Sequence, residues 1–330
     1  MPYHSIFRSG LFDGQTIVVT GGGSGIGRCT AHELKSLGAR LALVGRTQAK
    51  LDQVKEELGD PDTFTFAGDL REEAEVREAV DAVLKWGGRI DGLVNNAGGQ
   101  FPAPLRDISL NGWNAVIRNN MTATFLMSKE VYLRWMEGNG GAIVNVGADF
   151  ELGMPGMGHN GAARAGQTNI TLTASVEWAH SGVRVNSVIP GFIASSGLDR
   201  YPERAHDVLR GVKGKVPLKR HGTESEIAGA IVYLLSPAAA YTTGIALRVD
   251  GGLHNNAKSN FYEVPDHDRS KPFNGFRFIE RRRCSTDTGL GRLTGAKAVV
   301  STCWRKIQKL GYWSSPTFSI QSTTLPPSDS

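Results

Sequence analysis

Short apolar runs rich in Val, Ile and Leu alternate along the chain with stretches of helical spacing. The apolar runs predict strands at residues 15–20, 40–45, 63–67, 91–95, 142–147, 183–189 and 245–249. The stretches between them predict helices at 24–37, 48–58, 72–86, about 111–137, 162–181 and 223–235. Buried strands that alternate with helices are typical of a parallel sheet covered on both faces. The pattern therefore predicts an α/β fold of the doubly wound (Rossmann) type.

One uncharged stretch, residues 227–247, is long enough to cross a bilayer. A Ser236-Pro237 pair and the sequence YTTG at 241–244 interrupt it. Such breaks favour a buried helix, a turn and a strand over a membrane span. The sequence therefore predicts no membrane association.

The positive charge of the chain, +5 in total, is confined to its last part. Residues 277–330 contain nine Lys/Arg and three Asp/Glu, a net charge of +6, which leaves −1 for residues 1–276. This segment is rich in Ser and Thr and has no clear period, so a disordered extension is favoured over a nucleic-acid-binding arm. The predicted organisation is one domain at 1–276 followed by a basic extension at 277–330, with no nucleic-acid partner.

Cysteine is sparse, with three residues in 330. An odd, small number does not predict a disulfide framework, and no Cys/His spacing predicts a zinc site or another metal site. The first residues lack the apolar core of a signal peptide. A cytoplasmic location is therefore expected.

A glycine-rich loop, TGGGSGIG, follows the first predicted strand, and a predicted helix begins within it. Glycines permit a tight turn and a close backbone approach to a pyrophosphate, while a helix N-terminus supplies amide donors. The loop predicts a dinucleotide site that includes Gly21, Ser24, Gly25, Ile26 and Gly27.

The residue after the second predicted strand indicates which dinucleotide is bound. An acid there would bind a ribose 2′-hydroxyl, but the chain has Arg46, which can pair with a 2′-phosphate. NADP(H) is therefore predicted over NAD(H). The alternative is that Arg46 is a solvated surface residue.

Residues 11–252 resemble the short-chain dehydrogenase/reductase family. The resemblance rests on the glycine-rich loop, GDL at 68–70, NNAG at 95–98, Asn120, RVNSV around Asn186, and Pro190-Gly191, in the order and spacing of the family. Within the family the chain is most similar to peroxisomal trans-2-enoyl-CoA reductases and to bacterial relatives described as citronellol or citronellal dehydrogenases. The shared runs are HxGAARAG at 159–166, NNAGGQF at 95–101 and YEVPDHD at 262–268.

The resemblance implies further cofactor contacts. Asp69 would contact the adenine amine, Ala97 and Gly98 would leave room for the adenosine ribose, and Asn120 would anchor a helix kink and a water of the proton relay. The remaining implied cofactor residues are Leu70, Asn96, Arg164, Pro190, Gly191 and Ile193. The resemblance also implies a homodimer or homotetramer formed through the helices near 111–137 and 160–180.

The chain departs from the usual Ser, Tyr and Lys of the family. The corresponding positions are Ala148, Asn160 and Arg164, and no Tyr-x-x-x-Lys occurs. Arg164 stays charged and can donate to ribose hydroxyls. Asn160 cannot act as a general acid, a loss that typically costs about 10²–10⁴ in rate, so the usual alcohol–ketone relay is not expected.

Enoyl reduction has different needs, because the developing charge on a thioester oxygen requires hydrogen-bond donors and the proton can come from water or a nearby acid. Dienoyl-CoA reductases of the family place an acidic tyrosine fifteen residues before the lysine, and the chain has Asp149 there. His159 is the second candidate acid. The alternatives are a solvated loop carboxylate and a packed or capping histidine.

Three hypotheses follow. The first is an NADP(H)-dependent reductase of 2-enoyl-CoA thioesters, with Asn120, Arg164, His159 and Asp149 as candidate catalytic residues. The basic segment 194–221 would suit the CoA phosphates, although a solvated helix face explains it as well. The second is a dehydrogenase of an apolar, citronellol-like alcohol or aldehyde. The third is a catalytically impaired nucleotide-binding scaffold or sensor.

Overall fold

Seven parallel strands form a single sheet in the computed structural model, which describes residues 3–195, 211–257 and 262–276. The spatial order is β3-β2-β1-β4-β5-β6-β7. The strands are β1 (Thr16–Thr20), β2 (Arg40–Gly45), β3 (Phe64–Ala67), β4 (Gly92–Asn95), β5 (Gly141–Val146), β6 (Val183–Pro190) and β7 (Ala246–Val249). The order reverses at β1, which confirms the doubly wound α/β fold and opens a crevice between β1 and β4.

Helices connect the strands and cover both faces of the sheet. They are α1 (Gly25–Ser36), α2 (Gln48–Leu58), α3 (Glu73–Gly87), α4 (Leu110–Ile117), α5 (Ala123–Val131), α6 (Glu137–Asn139), α7 (Gly158–Glu177), α8 (Glu224–Leu235) and α9 (Leu253–Asn256). Local chemistry sets several of their ends. Gly59 and Gly88 end α2 and α3 in the left-handed conformation, and Thr223 and Glu226 form a capping box on α8.

Two hydrophobic layers, one on each face of the sheet, form the core. Leu34, Val94 and Ile231 are fully buried on one side, and Val80, Leu93 and Met127 on the other. The central strands therefore have buried side chains on both faces, which explains why their sequences are continuous apolar runs.

The structure corrects two details of the predicted helices. The stretch 111–137 is not one regular helix, because π-helical turns at Arg118–Thr122 and Tyr132–Met136 separate α4, α5 and α6. Helix α7 begins at Gly158, four residues before the predicted start, and it therefore includes residues 159 and 160.

The uncharged stretch 227–247 folds as predicted into the end of α8, a short turn of helix at Pro237–Ala239 and β7. None of the helices in the described part of the chain is long and apolar enough to cross a membrane. The predicted extension 277–330 and residues 196–210 of the predicted basic segment lie outside the described residues.

The two ends of the described domain meet beside α1. Tyr3 and Phe276 form an antiparallel bridge, and their rings are 4.9 Å apart edge to face. The Tyr3 hydroxyl also lies 3.8 Å from Sγ of Cys29 on α1, and Oγ of Ser225 on α8 lies 3.4 Å from the same sulfur. These contacts hold both ends of the domain against the α1–α8 pair.

Candidate active site

The glycine-rich loop occupies the crevice at the carboxyl end of β1. Gly21 and Gly25 have φ of +65° and +58°, which side chains other than glycine adopt at a cost. A Cβ on Gly27 would lie 2.3 Å from the carbonyl oxygen of Gly21, so α1 and the loop can approach only without a side chain there. Ile26 packs against the core, and Ser24 precedes the first turn of α1 in an extended conformation. The first amides of α1 thus face the crevice, where a diphosphate would bind.

Thr20 and Asn96 fix this loop to the end of β4. The amide group of Asn96 donates to the carbonyl oxygens of Thr20 and Gly21, at 3.1 and 3.3 Å. In return, the hydroxyl of Thr20 accepts from the backbone N–H groups of Asn96 and Ala97, both at 3.0 Å. Asn96 therefore shapes the loop, and Thr20, which sequence reasoning did not single out, is its partner.

Asp69 follows β3 and is paired with Arg71. The guanidinium Nε of Arg71 donates to both carboxylate oxygens, at 2.8 and 3.0 Å. These hydrogen bonds, aided by the charges of Arg71 and Arg46, lower the pKa of Asp69 to about 2. Arg46 is exposed at the end of β2, and Leu70 is buried in the core. The predicted adenosine residues thus lie together at the β2–β3 side of the crevice.

Asn120 sits in the first π-helical turn and is fully buried. Its amide donates to the carbonyl oxygens of Gly99 and Val116, both at 2.8 Å, and its side-chain oxygen accepts from the N–H of Gly99 at 3.1 Å. A Cβ on Gly98 would lie 2.6 Å from Oδ1 of Asn120. The glycine therefore allows the segment after β4 to pack directly onto Asn120, and π-helical turns are frequent at functional sites.

Arg164 is a buried cation on α7, and only 8% of its surface is exposed. Its Nη1 donates to the carbonyl oxygen of Val146 at 2.8 Å and to Oε1 of Gln167 at 3.0 Å. Burial lowers the pKa of the guanidinium to about 10, so it stays charged at neutral pH. Among the described residues no carboxylate pairs with it, and its Nε has no hydrogen-bond partner. A buried charge without an opposite charge is costly, which indicates a site for an anionic or strongly polar ligand.

Two more buried polar atoms without a described partner lie on the first turn of the same helix. They are Nε2 of His159 and Oδ1 of Asn160. The His159 ring is fully buried, accepts from the N–H of Asn160 at 3.0 Å, and packs edge to face on Phe101 with 4.6 Å between centroids. Both residues lie within α7. The contact with Phe101 fits a packed histidine, and the Nε2 atom without a described partner fits a catalytic one.

Asp149 lies in the segment after β5 and contacts a histidine on α9, the helix that follows the outer strand β7. Its Oδ2 is 2.6 Å from Nδ1 of His254 on α9, and Oε2 of Glu151 is 3.4 Å from Nε2 of the same ring. Glu151 also pairs with Arg248 on β7. Asp149 is therefore held in an ionic cluster that joins the β5–α7 segment to β7 and α9, an arrangement that its sequence neighbours do not reveal.

The segment after β6 completes the rim of the crevice. Pro190 ends β6, and a Cβ on Gly191 would lie 2.7 Å from Cα of Asp250, so the two segments touch at the backbone. Ile193 is buried and forms a bridge with Gly222. This places Pro190, Gly191 and Ile193 on the side of the crevice opposite to Arg46 and Asp69 in the strand order.

The structure thus brings the predicted residues to one edge of the sheet, at the carboxyl ends of its parallel strands, around the β1–β4 switch point. Sequence reasoning missed Gln167 and His254 as well as Thr20. Gln167 is 1% exposed on α7, and its position three residues after Arg164 was the one available signal, since residues at that spacing face each other on a helix. His254 is 105 residues from Asp149, and no local pattern connects them.

The sheet order and the glycine-rich loop define a dinucleotide-binding protein of the doubly wound class. A family model described as enoyl-(acyl carrier protein) reductase matches residues 21–254. The chain belongs to the short-chain dehydrogenase/reductase family, whose members are oxidoreductases that use a nicotinamide cofactor.

Three relatives illustrate the range of the family near this chain. The peroxisomal 2,4-dienoyl-CoA reductase of Danio rerio is 36% identical over 256 residues, which cover 76% of this chain and 85% of that protein. The glucose 1-dehydrogenase of Gluconobacter oxydans is 37% identical over 73% of this chain and 92% of that protein. The solved structure of the citronellol catabolism dehydrogenase of Pseudomonas aeruginosa PAO1 is 52% identical, with a TM-score of 0.68, over 76% of this chain and 99% of that chain.

Proposed function

We propose that the protein is an NADP(H)-dependent reductase of the C=C bond of 2-enoyl-CoA thioesters. The observation that carries the proposal is the buried guanidinium of Arg164, which has no carboxylate partner among the described residues, in a chain that has Ala148 and Asn160 where the family has hydroxyl groups. Carbonyl reduction needs an acid at the carbonyl oxygen, whereas enoyl reduction needs a stabilised oxyanion. The similarity to dienoyl-CoA reductases supports the same choice.

The nicotinamide cofactor, when bound, supplies the hydride. The chain's own residues then have three tasks. The loop at Gly21–Gly27 and the first turn of α1 bind the diphosphate, and Arg164 stabilises negative charge on the thioester oxygen as it develops. Asp149 passes to the α-carbon a proton that it receives from His254, whose Nδ1 lies 2.6 Å from its Oδ2, and His159 is the second candidate proton donor.

The discriminating experiment follows NADPH oxidation by absorbance with crotonyl-CoA, and NADP⁺ reduction with citronellol. Turnover with crotonyl-CoA supports the proposal. In Arg164→Met, turnover is expected to fall by about 10²–10³-fold, the usual cost of losing one oxyanion donor. Glu137→Gln, an exposed change on α6, serves as the matched control and should keep wild-type turnover.

A citronellol-like alcohol or aldehyde is the second candidate substrate, favoured by the 52% identity to the citronellol catabolism dehydrogenase. Turnover with citronellol alone would select it. Tight cofactor binding with no turnover on either substrate would instead favour a nucleotide-binding scaffold or sensor. The absence of the usual Ser and Tyr at positions 148 and 160 supports this alternative.

The choice of NADP(H) rests on Arg46. It is exposed at the end of β2, and its charge adds a small contribution, after that of Arg71, to the lowered pKa of Asp69. The residue after β2 is therefore a guanidinium that can pair with a 2′-phosphate, and not an acid that would bind the 2′-hydroxyl. In Arg46→Asp, the ratio of NADPH to NADH affinity is expected to fall at least about tenfold, measured by cofactor fluorescence. Tighter NADH binding by the wild-type protein would contradict the choice.

We further propose a homodimer or homotetramer that works in the cytoplasm. Apolar side chains on the helical face near residues 123–136 and on α7 are exposed: Phe125 (45%), Leu133 (52%), Leu172 (48%) and Val176 (77%). Burying these side chains against a second copy would remove apolar surface from water. Light scattering after size exclusion is expected to give a multiple of the 35.5 kDa chain mass, and a monomer would contradict the assembly.

A further inference from the structure

Gln167 is buried next to Arg164 on α7. Its Oε1 accepts from Nη1 of Arg164 at 3.0 Å, and its Nε2 donates to the hydroxyl of Thr124 at 2.9 Å. The Thr124 hydroxyl donates in turn to the backbone oxygen of Asn120 at 2.9 Å. Gln167 therefore connects the buried cation to the π-helical turn that holds Asn120.

Arg164 has two hydrogen-bond acceptors among the described residues, and both are neutral. One is a backbone carbonyl oxygen and the other is the amide oxygen of Gln167. A glutamate at 167 would have almost the same shape and would place a negative charge in direct contact with the guanidinium of Arg164. Buried arginines usually have such a partner. The amide fixes the direction of the guanidinium and leaves its positive charge in place.

The strand order shows which half of a dinucleotide this charge would face. The diphosphate belongs at the glycine-rich loop at the end of β1, and the adenosine half belongs at the ends of β2 and β3, beside Arg46 and Asp69. The other half therefore extends over the ends of β4, β5 and β6. Arg164 lies there, since Nη1 bonds to Val146 at the end of β5 and Nη2 would lie 3.0 Å from a Cβ on Gly98.

We infer that Gln167 is a positioning residue that keeps the charge of Arg164 uncompensated, so that the site binds the reduced, uncharged nicotinamide more tightly than the oxidised, cationic one. The positive charge repels the oxidised ring and has no such effect on the reduced ring. The inference rests on the proposed function only for the direction of the reaction, because such a bias favours hydride donation to a substrate. It requires a nicotinamide cofactor and no particular substrate.

The test compares Gln167→Glu with the wild-type protein by fluorescence titration of the oxidised and reduced cofactor, using NADP(H) or NAD(H), whichever binds more tightly. The measured quantity is the ratio of the oxidised to the reduced dissociation constant. A unit charge that acts over a separation of roughly 10 Å, at an effective dielectric constant of about 20, changes a dissociation constant by about tenfold. We expect the ratio to exceed one in the wild type and to fall by about tenfold in Gln167→Glu.

Two variants separate charge from structure. Gln167→Met removes the acceptor without adding charge, so both dissociation constants should rise while their ratio stays constant. Gln53→Glu adds the same charge at an exposed position of α2 and should leave the ratio unchanged. A ratio that is unchanged in Gln167→Glu, or that moves equally in either of these two variants, would overturn the inference.

Arg164→Gln provides a second measurement in case Gln167→Glu does not fold, because it removes the positive charge directly. It should lower the same ratio by a similar factor, and an unchanged ratio would again overturn the inference. Binding is measured without a thioester. A shifted ratio in a protein that does not reduce crotonyl-CoA would therefore refute the proposed function and leave the inference intact.

Discussion

Replacing Gly27 by alanine places a methyl group inside the contact between α1 and the glycine-rich loop. The added Cβ would lie 2.3 Å from the carbonyl oxygen of Gly21 and 2.5 Å from Nδ2 of Asn96. Backbone atoms cannot rotate away as the tip of a side chain can, so the loop itself must shift. The shift separates Asn96 from the carbonyl oxygens of Thr20 and Gly21.

The magnitude follows from two contributions. Overpacking costs about 1–3 kcal/mol, and each of the two lost neutral hydrogen bonds costs about 0.5–1.5 kcal/mol, which gives roughly 2–6 kcal/mol in all. If this free energy opposes binding of a diphosphate by the loop, the dissociation constant for NADPH rises at least about thirtyfold. If it destabilises the folded protein without cofactor, the melting temperature falls by at least about 4 °C instead.

Both quantities are measured on one preparation, by fluorescence titration and by thermal unfolding. Gly138→Ala is the matched control, because a Cβ there would meet nothing within 4 Å and the residue lies in α6, away from the crevice. It should change neither quantity. Wild-type affinity together with a wild-type melting temperature in Gly27→Ala would refute the described contact between α1 and the loop.

Three further results are expected. Asp149→Asn should lower turnover with crotonyl-CoA at least about tenfold and leave the affinity for NADPH unchanged, and unaltered turnover would remove Asp149 from the chemistry. Burial raises the pKa of the Cys29 thiol to about 12, so iodoacetamide at pH 8 should label Cys29 only after unfolding, and mass spectrometry that finds it alkylated in the native protein would contradict its burial. Hydrogen bonds from Arg71 lower the pKa of Asp69 to about 2, so its stabilising contribution is present above about pH 4 and is lost as the pH falls towards 2. The melting temperature should therefore fall less steeply between pH 5 and pH 3 in Asp69→Asn than in the wild type. An equal fall in both proteins would exclude the Asp69–Arg71 pair as a source of stability.

The strands were predictable because their side chains are buried on both faces. Residues 40–45 and 183–189, for example, read as apolar runs between helical stretches, and the structure confirms them to within a residue. The start of α7 was not predictable in this way. Its first residues, GHNG, have poor helix propensity, and the helix includes them because His159 and Asn160 are buried against Phe101 and Met154.

The candidate site likewise contains some features that the local sequence predicts and others that it does not. The glycine-rich loop could be predicted because local backbone geometry demands its glycines. The partners of Arg164 and Asp149 could not be predicted, because Val146 and His254 lie on other elements, far along the chain, and meet them only in the folded sheet. The π-helical turn at Asn120 also leaves no trace in the pattern of apolar positions, since it is set by hydrogen bonds to Gly99 and Val116.

The bridge between Tyr3 and Phe276 brings the two ends of the described domain together, so that its backbone almost forms a closed ring. Hydrogen bonding from the N–H of His4 to the carbonyl oxygen of Gly275, at 2.8 Å, joins the two ends at a single point beside α1. A peptide of a few residues could therefore join position 3 to position 276, and the chain could be reopened at an exposed turn such as 59–62. In such a circular permutant the glycine-rich loop would no longer lie near the first residue, while every strand would keep its neighbours in the sheet.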